Sequence, residues 1–426
     1  MILLKNGRVI DPVSNLDMTG DVLIKGDIIA DIDKHIEVDG SGDVEVIDCS
    51  GCVIGPGLVD IHVHFRDPGF TYKEDMETGA KCAAAGGVTS VILMANTKPC
   101  VDNAETLKYI MDKAADAPVH IYTCANITKG MRGKELTDFE MLKNLGAVGF
   151  TDDGIPLLEK DIVTEAMKEA AGLDSVLSFH EEDPRFITNN GINRGKASEY
   201  YKIGGSDRQA EISMVKRDIE LAFKTGAKIN IQHVSAAQTL DLIREAKKKC
   251  KEKQIIFAEA TPHHIALTED AAIEYGTNAK MNPPLRTEED RRAIIDAIKD
   301  DTIDFIATDH APHSTEDKNR AITEAPSGII GLETSLPVIY DVLVRENQIS
   351  WLKVFCKMST NPARLYGIDA GKLAKNAIAD VVVFDEKNPK VYTESMSKSK
   401  NSPFFGKKFN GKIALTICSG KIVYRD

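Results

Sequence analysis

Between residues 58 and 309 the chain repeats one unit eight times: a short apolar run, a turn, then a longer stretch with helical periodicity. The apolar runs are 58–64, 89–96, 119–126, 147–153, 175–180, 228–234, 255–260 and 303–309. The amphipathic stretches between them include 73–85, 104–115, 161–171, 207–225, 236–251 and 288–299. Parallel strands need a long crossover, and a helix is the usual one. Eight strand-helix units over about 250 residues are the size of a closed (β/α)8 barrel. An open doubly wound sheet is the rival, but eight repeats favour closure. No Gly-x-Gly-x-x-Gly opens a helix after the first strand, which counts against a dinucleotide site.

The two ends of the chain have a different character. Short runs within 2–4, 8–10, 22–24, 28–32 and 44–47 are cut by Asn-Gly, Lys-Gly-Asp and Ser-Gly turns. Similar runs recur at 379–384, 413–418 and 421–424. Chain ends tend to lie close together, so both termini are expected to build one small β-sandwich domain. The division predicted is residues 1–55 plus 365–426 for the β domain and 56–364 for the barrel.

Composition removes several classes of function. Of 426 residues, 42% are hydrophobic and 28% charged, too apolar for a disordered chain. No apolar run approaches the length needed to span a bilayer. The net charge of −12 argues against nucleic acid or an anionic membrane as partner, although a local cationic pocket can still bind an anion. Eight scattered cysteines do not make a disulfide scaffold, and the single Cys49-x-x-Cys52 lacks the second pair of a zinc ribbon. With no charged and apolar leader at Met1, a cytoplasmic location is expected.

The chemistry gathers where strands end. His62 and His64 alternate along the first strand and so share a face. Asp152 and Asp153 end the fourth strand, His180 the fifth, His233 the sixth and Asp309 the eighth. Active sites of such barrels form at the C-terminal strand ends, so these side chains converge. A single buried histidine is most often structural. Four of only ten histidines on one face are not explained that way. Four imidazoles and two carboxylates suit two borderline divalent ions, with zinc the first choice.

The segment Asp60-Ile61-His62-Val63-His64-Phe65-Arg66-Asp67-Pro68-Gly69 and the segment Ala307-Thr308-Asp309-His310-Ala311-Pro312-His313, with Lys318 five residues on, resemble the two signatures of the dihydroorotases, in the amidohydrolase superfamily. The resemblance extends over nearly the whole chain. It implies a reversible cyclisation of N-carbamoyl-L-aspartate to dihydroorotate plus water, a step of pyrimidine biosynthesis. It also implies two zinc ions bridged by Asp153 and hydroxide. His62, His64 and Asp309 would hold one ion and His180 and His233 the other, with Asp309 as the catalytic proton carrier. Asp153 is preferred to Asp152 as the bridge on family spacing. Related hydantoinases carry a carboxylated lysine at the end of strand four. This chain has Thr151-Asp152-Asp153-Gly154 there, which points to the bacterial aspartate-bridged branch.

For the substrate, the resemblance places Arg66, Asn96 and His313 on the free carboxylate and Asn282 on the ring. Ser327 stands where the family usually has an aromatic residue, so only backbone contacts are expected from Ser327 and Gly328. Other cyclic amidohydrolases, such as an allantoinase or a hydantoinase, are the second reading. A non-catalytic barrel that scaffolds aspartate transcarbamoylase is the third, and all six metal ligands being present counts against it. The resemblance leaves a homodimer and association with aspartate transcarbamoylase open. His263-His264 is expected on a strand, with one ring at most entering the site. Lys247-Lys248-Lys249 is read as a solvated helix end, and 184–206 as a connecting loop.

Overall fold

The computed structural model describes residues 1–38, 43–250 and 253–426. The expected Ser41-Gly42 turn and the Lys251 end of the helix expected at 236–251 lie outside them. Within the described part, that helix runs Ala237–Lys249.

Seven strands follow the repeat seen in the sequence: Leu58–Val63, Val88–Leu93, His120–Thr123, Val176–Phe179, Lys228–Ile231, Ile256–Ala260 and Phe305–Ile306. All neighbours pair in parallel, in groups of three and four. The fourth strand expected at 147–153 is not a regular strand. Only Phe150 bridges, to Ala125 on one side and Leu177 on the other. Its backbone still carries the ladder, because Thr151 N donates to Ala125 O and Ser178 N to Phe150 O, each at 2.9 Å. At the other seam Val63 bridges His310, and His64 N donates to His310 O at 2.9 Å. Among the described residues the barrel ring is closed and leaves no edge of its own unpaired.

The first, second and fifth strands are buried along their whole length, as expected when helices cover the outside of a parallel barrel. Val59, Ile61, Ile92, Met94, Cys124, Phe305 and Ala307 pack together in the lumen. Fully burying a side chain of this kind contributes about 1.5–3 kcal/mol, so the lumen is a strong plug beneath the mouth. The ladder of the first strand shifts between Asp60 and Val63. That irregularity lets His62 follow inward-facing Ile61 and itself face the mouth, with Val63 packed outside. Asp60 braces the same place, taking hydrogen bonds from Thr308 N and His62 N at 3.1 and 3.2 Å.

Strands from both termini form one eight-stranded sheet, in which Cys52–Pro56 pairs both Ile2–Asp11 and Val381–Asp385. Ile24 and Ile29 near one edge share a hydrophobic core with Leu415 and Ile417 near the other. The sheet therefore curls onto itself, as expected of a sandwich. Asn6-Gly7 is not a turn. It is a bulge within the continuous strand Ile2–Asp11, with Asn6 at φ 62° and its N–H donated to Asp21 Oδ1 at 2.9 Å. Residues 184–206, read as a loop, include the short helix Lys196–Tyr201. His263 and His264 lie on the short helix Pro262–Ala266, so the alternation of a strand does not apply to them, and both are buried.

Candidate active site

Three of the site residues follow closely on a strand end. His180 comes one residue after Val176–Phe179, His233 two after Lys228–Ile231, and Asp309 three after Phe305–Ile306. His233 and Asp309 have φ of 35° and 48°, turning the backbone sharply so that the side chains point across the mouth. Together they enclose a cavity of about 200 Å³, lined by every predicted site residue except His62. His62 is fully buried beneath it.

The donor atoms form two groups that share one member. His62, His64 and Asp153 make the first, and Asp153, His180 and His233 the second. Asp153 Oδ1 lies 3.3 Å from His62 Nε2, 3.9 Å from His180 Nδ1 and 4.0 Å from His233 Nε2. Asp153 Oδ2 lies 3.4 Å from His64 Nε2. Asp309 Oδ1 stands 3.1 Å from His64 Nε2 and 3.5 Å from His62 Nε2.

The second ring nitrogens show which atoms are free. His62 Nδ1 is 2.5 Å from Glu259 Oε1, His180 Nε2 is 3.0 Å from Glu182 Oε2, and His64 Nδ1 is 3.0 Å from Asn96 Oδ1. Each acceptor holds an N–H, so the opposite nitrogen presents a lone pair to the cavity. His62 Nε2 is buried and makes no hydrogen bond, and His180 Nδ1 faces His233 Nε2 at 2.9 Å. Converging nitrogen lone pairs and buried carboxylates in one small space fit divalent cations.

The amidohydrolase family profile matches residues 53–423. A dihydroorotase of Clostridioides difficile is 51% identical over 424 residues, spanning all of both chains. One of Clostridium acetobutylicum is 50% identical, again over the whole of both. The chain belongs to the amidohydrolase family, among the dihydroorotases. The family's cyclic amidohydrolase chemistry is thereby its own. Among solved structures, an L-hydantoinase of Arthrobacter aurescens matches with a TM-score of 0.89 at 24% identity, covering 100% of this chain and 96% of that one. A D-hydantoinase of Thermus sp. matches at 0.85 and 22%, with the same coverage. At that identity the likeness speaks to the barrel alone.

Against that family background the remaining side chains fall into place. Asn96 donates Nδ2 to Asp153 Oδ2 and to the Asp153 carbonyl, both at 3.1 Å, so its amide ties His64 to the shared carboxylate. Arg66 reaches the cavity through a turn. The strand has ended at Val63, and Arg66 adopts φ 61° with Nε on Pro312 O at 3.2 Å. His313 donates Nε2–H to Ser327 O at 2.8 Å, and its Nδ1 lies 3.2 Å from Lys73 Nζ. Asn282 Nδ2 lies 3.4 Å from His180 Nε2. Gly328, at φ 118°, lies so near Ala311 that a Cβ there would stand 2.6 Å from the alanine methyl. Only glycine lets that backbone line the cavity.

Sequence reasoning missed Glu259, Glu182, Lys73 and Asn401. Glu259 also takes the His233 N–H and Asn230 Nδ2, at 3.1 and 3.0 Å. Asn401, from far along the chain, holds Ala311 O, Gly328 O and His313 N at 3.0 Å each. The one signal available was parity, since Glu182 stands two residues after His180.

Charge is distributed unevenly over the cavity. Burial acts to raise the Asp153 carboxyl, but the positive charge that His62, His64 and His180 carry when protonated outweighs it and holds it well below the usual range. Burial, together with His180 and His62, pushes the His233 imidazolium well down, so that ring is neutral. His313 is neutral for the same first reason, reinforced by the cations of Arg66, Lys73 and Lys318.

Proposed function

We propose that the chain catalyses the reversible cyclisation of N-carbamoyl-L-aspartate to (S)-dihydroorotate plus water, with two zinc ions as cofactors. His62, His64 and Asp309 would hold one ion, His180 and His233 the other, and Asp153 both. One arrangement carries the reading: a carboxylate shared by two histidine pairs at the floor of a cavity whose wall presents Arg66. No lysine stands at the end of strand four, which sets the site apart from a hydantoinase with a carboxylated lysine.

Bound zinc supplies Lewis acidity toward carboxylate and ring carbonyl oxygens and lowers the pKa of water. The protein does the rest. Arg66 offers a guanidinium to the free carboxylate of the substrate, a charge-assisted contact that an acidic protein needs in order to capture an anion. Asn282, Ser327 and Gly328 flank the ring. Neutral His313, its Nε2–H held by Ser327 O, places the Ser327–Gly328 backbone against that ring. In ring opening Asp309 would take a proton from water and pass it to the leaving ring nitrogen, and in closure it would carry the proton from that nitrogen back to the departing water. Asn96 orients His64 and Asp153, and with Arg66 and His313 it lines the cavity where the free carboxylate of the substrate would lie.

Among the described residues no helix is long and apolar enough to cross a membrane. A cytoplasmic place, a homodimer and association with aspartate transcarbamoylase belong to the proposal, and sedimentation of the chain alone and with that enzyme tests the last two. The decisive assay is cyclisation of carbamoyl aspartate by metal-free and zinc-reconstituted protein, beside allantoin and hydantoin. Activity on carbamoyl aspartate should return with zinc alone, because the shared ligand is already a carboxylate. Strict dependence on bicarbonate, or preference for allantoin or hydantoin, overturns the reading.

A further inference from the structure

A second set of metal-binding side chains converges at the opposite end of the barrel. His120 begins the third barrel strand, Asp380 immediately precedes the terminal-sheet strand Val381–Asp385, and Cys418 ends the strand Lys412–Cys418. One donor atom from each lies within 4.8 Å of the other two. Asp380 and Cys418 are each 4% exposed. His120 is partly exposed on the wall of an open groove that Cys418, Ser419 and Lys421 also line, which gives an ion a way in.

Two details separate this cluster from an ordinary ion pair. Asp380 Oδ1 accepts the Ser419 N–H at 2.8 Å and lies 3.4 Å from His120 Nε2, while buried Oδ2 has only His120 Nε2 beside it and no well-aligned hydrogen bond. A buried carboxylate oxygen left without a donor is costly unless a cation answers it. Furthermore, His120 Nε2 lies 3.1 Å from that Oδ2 and 3.5 Å from Ser419 Oγ. A single imidazole nitrogen is near both the carboxylate and the thiol. A nucleophilic Cys-His-Asp relay would need them on opposite ring nitrogens. Donors gathered about one point are the arrangement of a coordination shell. At zinc bond lengths of ~2.0–2.3 Å, tetrahedral edges are ~3.3–3.8 Å; here His120 Nε2 and Asp380 Oδ2 are 3.1 Å apart and all three donors lie within 4.8 Å.

We propose that His120, Asp380 and Cys418 form a non-catalytic site for a zinc-class divalent ion, with Ser419 Oγ or water as fourth ligand, clasping the barrel floor to the terminal sheet. A thiolate and a carboxylate balance the +2 charge.

The proposed catalytic ligands contain no sulfur, so a cobalt–thiolate charge-transfer band in the near ultraviolet does not come from them, and its loss in Cys418→Ser assigns it to this site. The full-length protein is stripped of metal and loaded with Co²⁺, and in parallel with Zn²⁺. Wild type should show the band and bind one equivalent more metal than Cys418→Ser or His120→Gln. Both variants should lack the band and keep wild-type dihydroorotase activity, and zinc should raise Tm more in wild type than in either. A cobalt-loaded wild type without the band, a band that persists in Cys418→Ser, or equal metal content in wild type and His120→Gln overturns the proposal.

Discussion

Asp152 and Asp153 are adjacent, yet their carboxylates serve opposite sides of the backbone. Asp153 faces the four histidines. Asp152 turns away, its Oδ1 accepting from Ile127 N at 2.9 Å and from Asn126 Nδ2 at 3.2 Å, while Oδ2 takes Thr128. Asp153→Asn should therefore lose most of its bound metal. Asp152→Asn should keep its metal and lose about 1–3 kcal/mol of stability, the cost of leaving buried donors unsatisfied. Metal analysis and urea unfolding of both variants check this, and the reverse pattern would make Asp152 the shared ligand.

Glu259 acts on the site through His62. Its Oε1 sits 2.5 Å from His62 Nδ1, which fixes the tautomer and makes Nε2 a better donor. Glu259→Gln keeps a hydrogen-bond acceptor but removes the charge. Competition with a chelator should show metal affinity ~10–100-fold weaker, with the fold intact by circular dichroism. Unchanged metal affinity would reduce Glu259 to a packing role.

How much of this was legible in the sequence follows from the range of the interactions. The barrel and the His62, His64, His180, His233 set were readable because strand alternation and the strand-end rule are local and regular. The fourth strand was misread because Phe150 pairs through single bridges while its neighbours turn toward ligands. Asn6-Gly7 carried a turn signal, but pairing on both sides kept the chain extended and turned the signal into a bulge. Glu259 and His62 are 197 residues apart, and no local pattern joins an acid on one strand to an imidazole on another. Asn401 was invisible for the same reason.

Asp309 has φ 48°, a conformation that asparagine adopts as readily as aspartate. Asp309→Asn should leave the backbone undisturbed and retain much of the metal on the five remaining ligands. An amide cannot accept the proton, so kcat in both directions should fall by at least ~10²–10⁴-fold. Metal analysis beside forward and reverse kinetics tests this. Activity within a few-fold of wild type would remove Asp309 from proton transfer.

Lys318 is buried, with Nζ donated to Pro326 O and Gly328 O at 2.9 Å each. Burial, helped by Lys280 and Lys73 and opposed by Asp317, brings its ammonium down to about 7. The unfolded value is ~10.4, so between these values the unfolded chain holds more of this proton. The penalty for burying the charge is complete below neutral pH and is relieved as pH rises. Wild type should therefore gain on Lys318→Met with a limiting slope of about 1.4 kcal/mol per pH unit between about pH 7 and 10. Urea unfolding of both proteins across that window measures it, and a difference that is flat or moves the other way means that Lys318 is not a buried ammonium.

Arg66 and Asp309 face the same cavity from opposite charges, so their variants should separate recognition from chemistry. Arg66→Met leaves all six proposed metal ligands and the proton carrier in place. It removes the charge-assisted contact to the free carboxylate, worth about 1.5–3 kcal/mol. Metal content should stay at wild-type level and kcat/KM for dihydroorotate should fall by ~10–100-fold. Dihydrouracil has the same ring without the carboxylate, so its slow turnover should hardly change. Measuring both substrates on both proteins decides the role. If Arg66→Met harms dihydrouracil as much as dihydroorotate, the guanidinium is holding Pro312 O and the turn after the first strand, not the substrate.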